Sequence, residues 1–284
     1  LFWFASQVFP SAFGLDLVKI FGLHYWFSDD FNPIQLVTYM FMHDTRGLSH
    51  LFCNMFGVWM FGRTLEQVWG AKKFLFFYFV TGIGAGIIQE LTWMIDLHGI
   101  TTAMNTAIAE NSGEALVPFS SMFTGGDIAR ATAVDVIRLK SQIFASHVTV
   151  GASGALFGIL LAFGWLFPEA RMGLLFIPVM IPARIFVGIY AAFELFFGVT
   201  GFAFDNVAHF AHLGGMIFGL ALILWWRFRG DDGFESMSYG DSRLKQWIKQ
   251  RWDQIRSKRP PRIKRDDDSK DYHDYHDYHY HKPL

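Results

Sequence analysis

Two side chains that could perform chemistry together lie in apolar stretches of this sequence. Ser153 belongs to a Gly-Ala-Ser-Gly turn at 151–154 and heads an apolar segment, and His212 belongs to an Ala-His-Leu-Gly-Gly motif in a later one. A serine hydroxyl is a weak nucleophile until a neutral imidazole within hydrogen-bond reach takes its proton. An ionisable residue at membrane depth is costly, so its presence indicates function. We therefore predict that Ser153 is a nucleophile and that His212 is its base, inside a membrane.

The composition is that of a polytopic membrane protein. Of the 284 residues, 52% are hydrophobic and 18% are aromatic, which is more apolar than a soluble domain of this size needs. The formal net charge of −1 averages a basic stretch against acidic loops and an acidic end, so its sign identifies no partner. The single cysteine, Cys53, excludes an internal disulfide. We expect no nucleic-acid partner, no cofactor and no metal.

Five apolar stretches approach the length of about 20 residues that a spanning helix needs. They are 48–62, 74–94, 148–167, 172–199 and 206–228. The first is short and polar in places, so its assignment depends partly on its neighbours. The opening segment 1–13 is apolar but reaches Pro10 early and starts without methionine, so we interpret it as the remnant of a truncated first helix. The predicted fold is all-α, a polytopic membrane bundle with a six-helix core.

Orientation follows from the basic residues near the helix ends, which favour the cytoplasmic side. If every segment crosses once, one side of the membrane carries Arg63, Lys72, Lys73, Arg171, Arg227 and Arg229. The opposite loops carry Asp29, Asp30, Glu110, Glu114 and Asp205. We therefore expect an integral membrane protein with both ends in the cytoplasm. The membrane that we expect is the bacterial inner membrane.

Three pieces of the chain are expected outside the bilayer. The membrane domain, 14–228, contains an extracytoplasmic insert at 95–147, with a short helix from an Asp127 cap through Leu139 whose Val134 and Ile137 face the membrane or the bundle. Residues 229–265 follow the pattern of a basic amphipathic helix on an anionic surface, although an ordinary solvated helix fits equally. For 266–284, with its Asp-Tyr-His repeat, disorder is favoured over metal binding.

Taken together, the motifs resemble the rhomboid family of intramembrane serine proteases over about 31–228. The matching positions are 31–38 leading to 40–43, the pair His50 and Asn54, Glu66, the turn 151–154, and His212 followed by Gly215 and Gly219. The resemblance implies a Ser153–His212 dyad without an acidic third member. We also find no Asp or Glu beside His212 in the sequence, and an unpaired carboxylate buried there would be costly.

The resemblance also assigns supporting roles. His50 and Asn54 are four residues apart, on one helix face, and in the family such a pair helps to form the oxyanion hole. The alternative is that they hydrogen-bond one helix to another. Gly151 and Gly154 allow close approach of backbone and substrate. Phe157 can stack on the histidine but donates no hydrogen bond, unlike the tyrosine of some members.

His209 is the competing candidate for the base, since it lies one turn from His212. Only His212 has the glycine spacing of the family, so His209 is expected to be a helix-capping or supporting residue nearer the surface. His43 and His147 are expected to be structural, and His98 has no assigned role. Small residues four apart, Gly154 with Gly158 and Gly215 with Gly219, predict close packing of the two helices that carry the dyad.

These residues leave three candidate functions. An endopeptidase would cleave membrane proteins in or near their transmembrane segments. A catalytically silent relative would bind such segments, but silent relatives usually lack the serine or the histidine. A transporter would show two similar halves, and the sequence has no internal repeat. The predicted partners are transmembrane protein substrates and the lipid bilayer, and the oligomeric state stays open.

Overall fold

The computed structural model describes residues 5, 6, 8, 13–43, 48–123, 127–173, 180–200 and 208–229. Most of the predicted helix remnant at 1–13 lies outside these residues. So do the predicted basic segment 229–265, apart from Arg229, and the predicted tail 266–284.

Helices dominate the described residues, and the α-helices are numbered in chain order. They are α1 Leu17–Phe21, α2 Gln35–Thr38, α3 Leu48–Gly57, α4 Arg63–Trp69, α5 Ala71–Asp96, α6 His98–Glu110, α7 Ala133–Ser146, α8 Ser153–Leu166, α9 Ala183–Thr200 and α10 His209–Phe228. A π-helical turn, Val58–Gly62, joins α3 to α4. Three 3-10 segments cover Tyr39–Phe41, Gly113–Met122 and Ile128–Arg130.

Within the described residues, four short strands form two antiparallel pairs. In the first pair, β1 (Leu23–His24) lies against β2 (Val148–Thr149), and in the second, β3 (Arg171–Gly173) lies against β4 (Met180–Pro182). The β1–β2 pair joins the segment before α2 to the segment before α8, so it holds two chain-distant loops together.

The predicted all-α membrane bundle is confirmed. Within the described residues, α5, α9 and α10 are long and apolar enough to cross a membrane, and α8 is apolar but only 14 residues long. The stretch predicted at 48–62 is helical through α3 and the π-turn and continues into α4. The count of six crossings stays a prediction.

Two predicted spans begin too early. The helix expected from residue 172 starts at Ala183, because Met172 lies in β3 and pairs with Ile181. Pro182 precedes the helix, and proline disfavours helical backbone in the residue before it. The helix expected from residue 148 starts at Ser153, because Val148 pairs with His24. Hydropathy alone cannot separate these short strands from the helices that follow them.

Close backbone contact brings α5, α8 and α10 together, as the spaced glycines predict. A Cβ placed on Gly158 of α8 would lie 3.0 Å from the carbonyl oxygen of Gly215 and 2.7 Å from the Thr81 side chain on α5. A Cβ on Gly219 would lie 3.3 Å from the Cα of Gly158. Helices in lipid associate through such close packing, so these glycines set the distance between the helices that carry Ser153 and His212.

The insert at 95–147 folds around an apolar cluster that also contains the buried Tyr25 from outside the insert. The buried members from the insert include Ile100, Met104, Leu116, Val136 and Phe144. The helix expected from Asp127 is in two parts. Asp127 caps only the 3-10 turn, and Thr132 caps α7 through a capping box with Asp135. The helix also continues beyond Leu139, to Ser146. Val134 and Ile137 are 64% and 53% exposed, on the face of α7 away from that cluster.

Candidate active site

The structure brings Ser153 and His212 together, although they are 59 residues apart in the chain. Ser153 is the first residue of α8, and His212 lies one turn into α10. Nε2 of His212 is 2.8 Å from Oγ of Ser153, a hydrogen-bond distance for a hydroxyl donating to an imidazole nitrogen. This contact is the geometry in which a neutral histidine removes the serine proton.

The imidazole of His212 is held in place by an aromatic ring. Phe157 lies one turn after Ser153 on α8 and stacks on His212, with ring centroids 4.2 Å apart and an angle of 9° between the planes. His212 is buried, so the stack leaves its ring little rotational freedom. Phe157 therefore keeps Nε2 directed at the serine.

The expectation that no carboxylate lies beside His212 is wrong. Oε2 of Glu194 is 2.9 Å from Nδ1 of His212 and 2.7 Å from Nδ1 of His209. Glu194 lies on α9, 18 residues before His212, so a motif read along the chain does not place it there. A signal was present, because Glu194 is the one acidic residue in the apolar run that became α9.

The turn before Ser153 has a backbone that favours glycine. Gly151 has a φ of +127°, and its N–H donates to the carbonyl oxygen of Tyr39 at 2.9 Å. The Tyr39 hydroxyl in turn donates to the carbonyl oxygen of Gly82 on α5 at 2.6 Å. Tyr39 therefore ties the serine turn to the bundle.

His50 lies beside the same turn. A Cβ placed on Gly151 would be 3.0 Å from both Cε1 and Nε2 of His50 and 3.7 Å from Oγ of Ser153. Asn54 lies one turn further along α3, is 2% exposed, and donates from Nδ2 to the carbonyl oxygen of His50 at 2.9 Å. This hydrogen bond runs within α3, not from helix to helix.

Backbone N–H groups lie at the site in addition to His50 and Asn54. Ser153 opens α8, so the N–H groups of the first helical turn have no partner within the helix, and the positive end of the helix dipole lies at the serine. An oxygen that gains negative charge beside Ser153 would meet these groups. The site therefore combines a hydroxyl, an imidazole within hydrogen-bond distance of it and N–H groups that could bind an anion.

Comparison with known proteins identifies the family of this chain. The model of the rhomboid domain family matches residues 30–124 and 115–228, which together cover more than half of the chain. The chain belongs to the rhomboid family. This rhomboid is 28% identical over 189 residues to Rhomboid protein 1, mitochondrial, of Saccharomyces cerevisiae, an alignment that covers 66% of this chain and 40% of the yeast protein. No solved structure matches it.

Of the other histidines of this rhomboid, His43 lies beside the site, and His147 and His98 lie in the insert. His43 is buried, with its ring centroid 5.5 Å from that of His50, and burial together with the nearby His50 lowers the pKa of His43 to about 4. The Nδ1–H group of His147 donates to the carbonyl oxygen of Ile143, within the insert. His98 opens α6 in the same insert.

A methyl group at Gly151 should disturb catalysis more than stability. We expect Gly151→Ala to slow the reaction of Ser153 with a fluorophosphonate by about 10²-fold, because the new Cβ pushes on His50 and the positive φ strains the turn by about 1–3 kcal/mol. The measurement is the labelling rate of this rhomboid in detergent.

Gly70→Ala is the matched control for that substitution. Gly70 also has a positive φ, +79°, but nothing lies within 4 Å of its Cβ position. The control therefore carries backbone strain without the contact to His50. Equal labelling rates in the two variants would contradict the placement of His50 beside the serine.

Proposed function

We propose that this rhomboid is an intramembrane serine endopeptidase that cleaves peptide bonds in or near transmembrane segments of membrane proteins. The observation that carries the proposal is the 2.8 Å contact between Nε2 of His212 and Oγ of Ser153. Family membership supports the intramembrane setting, and the three apolar helices support a bilayer as the solvent.

The reaction follows from the positions of these atoms. Oγ of Ser153 attacks the substrate carbonyl carbon while its proton passes to Nε2 of His212. The tetrahedral oxyanion is stabilised by N–H groups at the start of α8 and by the side chains of His50 and Asn54. His212 then protonates the leaving amine. In the second half of the reaction, water attacks the acyl group on Ser153 while His212 takes a proton from the water, and His212 then returns that proton to Oγ of Ser153.

The substrate class follows from where the site lies. The exposed face of α9 is apolar, with Phe193, Leu195 and Phe196 each more than half exposed, as expected for a lipid-facing helix. A transmembrane segment would arrive through the lipid, and small residues near the cut would help its helix to unwind into the site. We place the protein in a bacterial inner membrane, with both ends cytoplasmic and the insert outside.

A catalytically silent binding protein is the alternative function. It would bind transmembrane segments without needing an activated serine. The hydrogen bond between Ser153 and His212, with Phe157 stacked on the histidine, favours the enzyme, because a binding protein gains nothing from a base directed at a hydroxyl.

Labelling with a fluorophosphonate tests the proposal. We expect the detergent-solubilised protein to be phosphonylated at Ser153, because only a serine activated by a base attacks this reagent at a useful rate. Peptide mass spectrometry identifies the labelled residue, and heat-denatured protein is the control. Absence of label on the folded protein, combined with retained binding of a transmembrane peptide, would favour the silent binding protein.

A further inference from the structure

Glu194 is an unusual residue in its helix. Within α9, only Ala183, Val187 and Glu194 are buried, and the neighbours of Glu194 on both sides face outward. The other charged residue of α9, Arg184, pairs with Glu169 at 2.8 Å. A carboxylate at membrane depth is costly, and here it turns inward to two imidazoles.

We propose that Glu194 is a positioning residue for His212, so that the site is a Ser153–His212–Glu194 triad whose carboxylate is shared with His209. This inference rests on the proposed function, since it concerns how the same histidine performs its role.

The contacts require one particular tautomer of His212. A neutral imidazole that accepts the serine proton at Nε2 must carry its own proton at Nδ1. Nδ1 lies 2.9 Å from Oε2 of Glu194, which accepts the hydrogen bond from the Nδ1–H group. The carboxylate therefore fixes the tautomer that catalysis needs and faces the positive charge that forms on the imidazole when Ser153 loses its proton.

His209 completes the arrangement from the other side. Its Nδ1 lies 2.7 Å from the same oxygen of Glu194, and Phe197 stacks on its ring with centroids 5.7 Å apart. Two donors on one oxygen, provided by the first turn of α10, prevent the Glu194 side chain from turning away towards lipid. His209 thus supports Glu194, whereas His212 is the residue that reaches the serine.

A metal ion explains these three residues less well. Glu194, His209 and His212 each offer a ligand atom, and these atoms lie within 4.8 Å of one another. Ligands of a tetrahedral zinc ion at bond lengths near 2.0–2.1 Å are separated by about 3.3 Å. The distances of 2.7 and 2.9 Å are shorter and match direct hydrogen bonds.

Replacing the carboxylate by its amide is the test. In proteoliposomes with a transmembrane substrate, we expect Glu194→Gln to lower kcat by about 10²–10⁴-fold with KM within about twofold of the parent, because only the charge and the tautomer are affected. Glu194→Asp keeps the charge and should recover part of kcat. If Glu194 only packed α9 on α10, the substitution would instead change KM and Tm.

Glu90→Gln is the matched control. Glu90 is a fully buried glutamate of α5 whose Oε2 accepts from the backbone N–H of Trp26 at 2.8 Å, outside the proposed triad. It should leave kcat unchanged. A kcat of Glu194→Gln within threefold of a cleaving parent would overturn the triad, whereas a parent that neither cleaves nor labels would refute the proposed function itself. Zinc-dependent cleavage, abolished by a chelator, would replace the triad by a metal site.

A measurement on the unmodified protein tests the triad even if the variants do not fold. Nitrogen-15 NMR of histidine-labelled protein reports which ring nitrogen carries the proton, with His212→Asn used to assign the signal. The triad requires His212 protonated at Nδ1. A proton at Nε2 of His212 would overturn the proposal whatever the variants do, and this readout stays decisive even for a protein without activity.

Discussion

Ser153→Ala and His212→Ala should each lower kcat/KM for cleavage of a transmembrane substrate by about 10⁴-fold or more, because nucleophile and base act as a unit. The first variant has no oxygen to form the acyl intermediate, and the second has no base within 2.8 Å of that oxygen. The measurement is the initial rate of cleavage in proteoliposomes. Thermal unfolding of Ser153→Ala should stay close to the parent, whereas His212→Ala removes a buried ring and one of the donors to Glu194, so its Tm should fall.

Ser→Ala and His→Ala substitutions elsewhere in the chain are the controls for these two variants. Ser120→Ala removes an exposed hydroxyl in the insert, and His98→Ala removes an imidazole there, so both should cleave at the parental rate. His209→Ala should be partly active, since it loses one of two donors to Glu194 but keeps the base. Complete loss in His209→Ala with survival of His212→Ala would show that His209 is the base.

The contact between Ser153 and His212 could be predicted from sequence motifs, because each of these residues lies in a short motif of its own. Ser153 with its glycines and His212 with its glycines each lie in a few consecutive residues, so their types and spacing predicted both the helices and the contact. The family and the all-α membrane fold were predicted for the same reason. Phe157 could be assigned to the histidine because it lies one turn after the serine.

The features that sequence reasoning missed depend on contacts between distant segments. Glu194 reaches His212 only through the packing of α9 on α10, and nothing in its immediate sequence marks it except its charge. The strands at Met172 and Val148 depend on partners across a turn or far back in the chain. Hydropathy reports how apolar a segment is, not what hydrogen-bonds its backbone.

The candidate site lies where two helices of the bundle begin. Ser153 opens α8, His209 opens α10, and both helices begin at the same end of the bundle. The N–H groups of both first helical turns therefore lie at the end of the bundle where Ser153 and His212 meet.

Gly215→Ala should slow cleavage and lower the stability of the protein together. A Cβ at Gly215 would overlap the carbonyl oxygen of Gly154 and lie 2.7 Å from its carbonyl carbon, and this backbone cannot rotate away. Helix α10 must then move from α8 by about 1 Å, a displacement that can cost about 10²-fold in rate. Overpacking of this kind typically costs about 1–3 kcal/mol, so Tm should fall as well.

Gly188→Ala provides the comparison for that effect. Gly188 lies in α9 with nothing within 4 Å of its Cβ position, so a methyl group there meets open space. Alanine favours a helix over glycine by about 1 kcal/mol, so this variant should match or exceed the parental Tm and label at the parental rate. If Gly215→Ala behaved in the same way, the contact between α8 and α10 would not control the distance between Ser153 and His212. We expect the two variants to differ because one glycine holds two backbones together and the other faces open space.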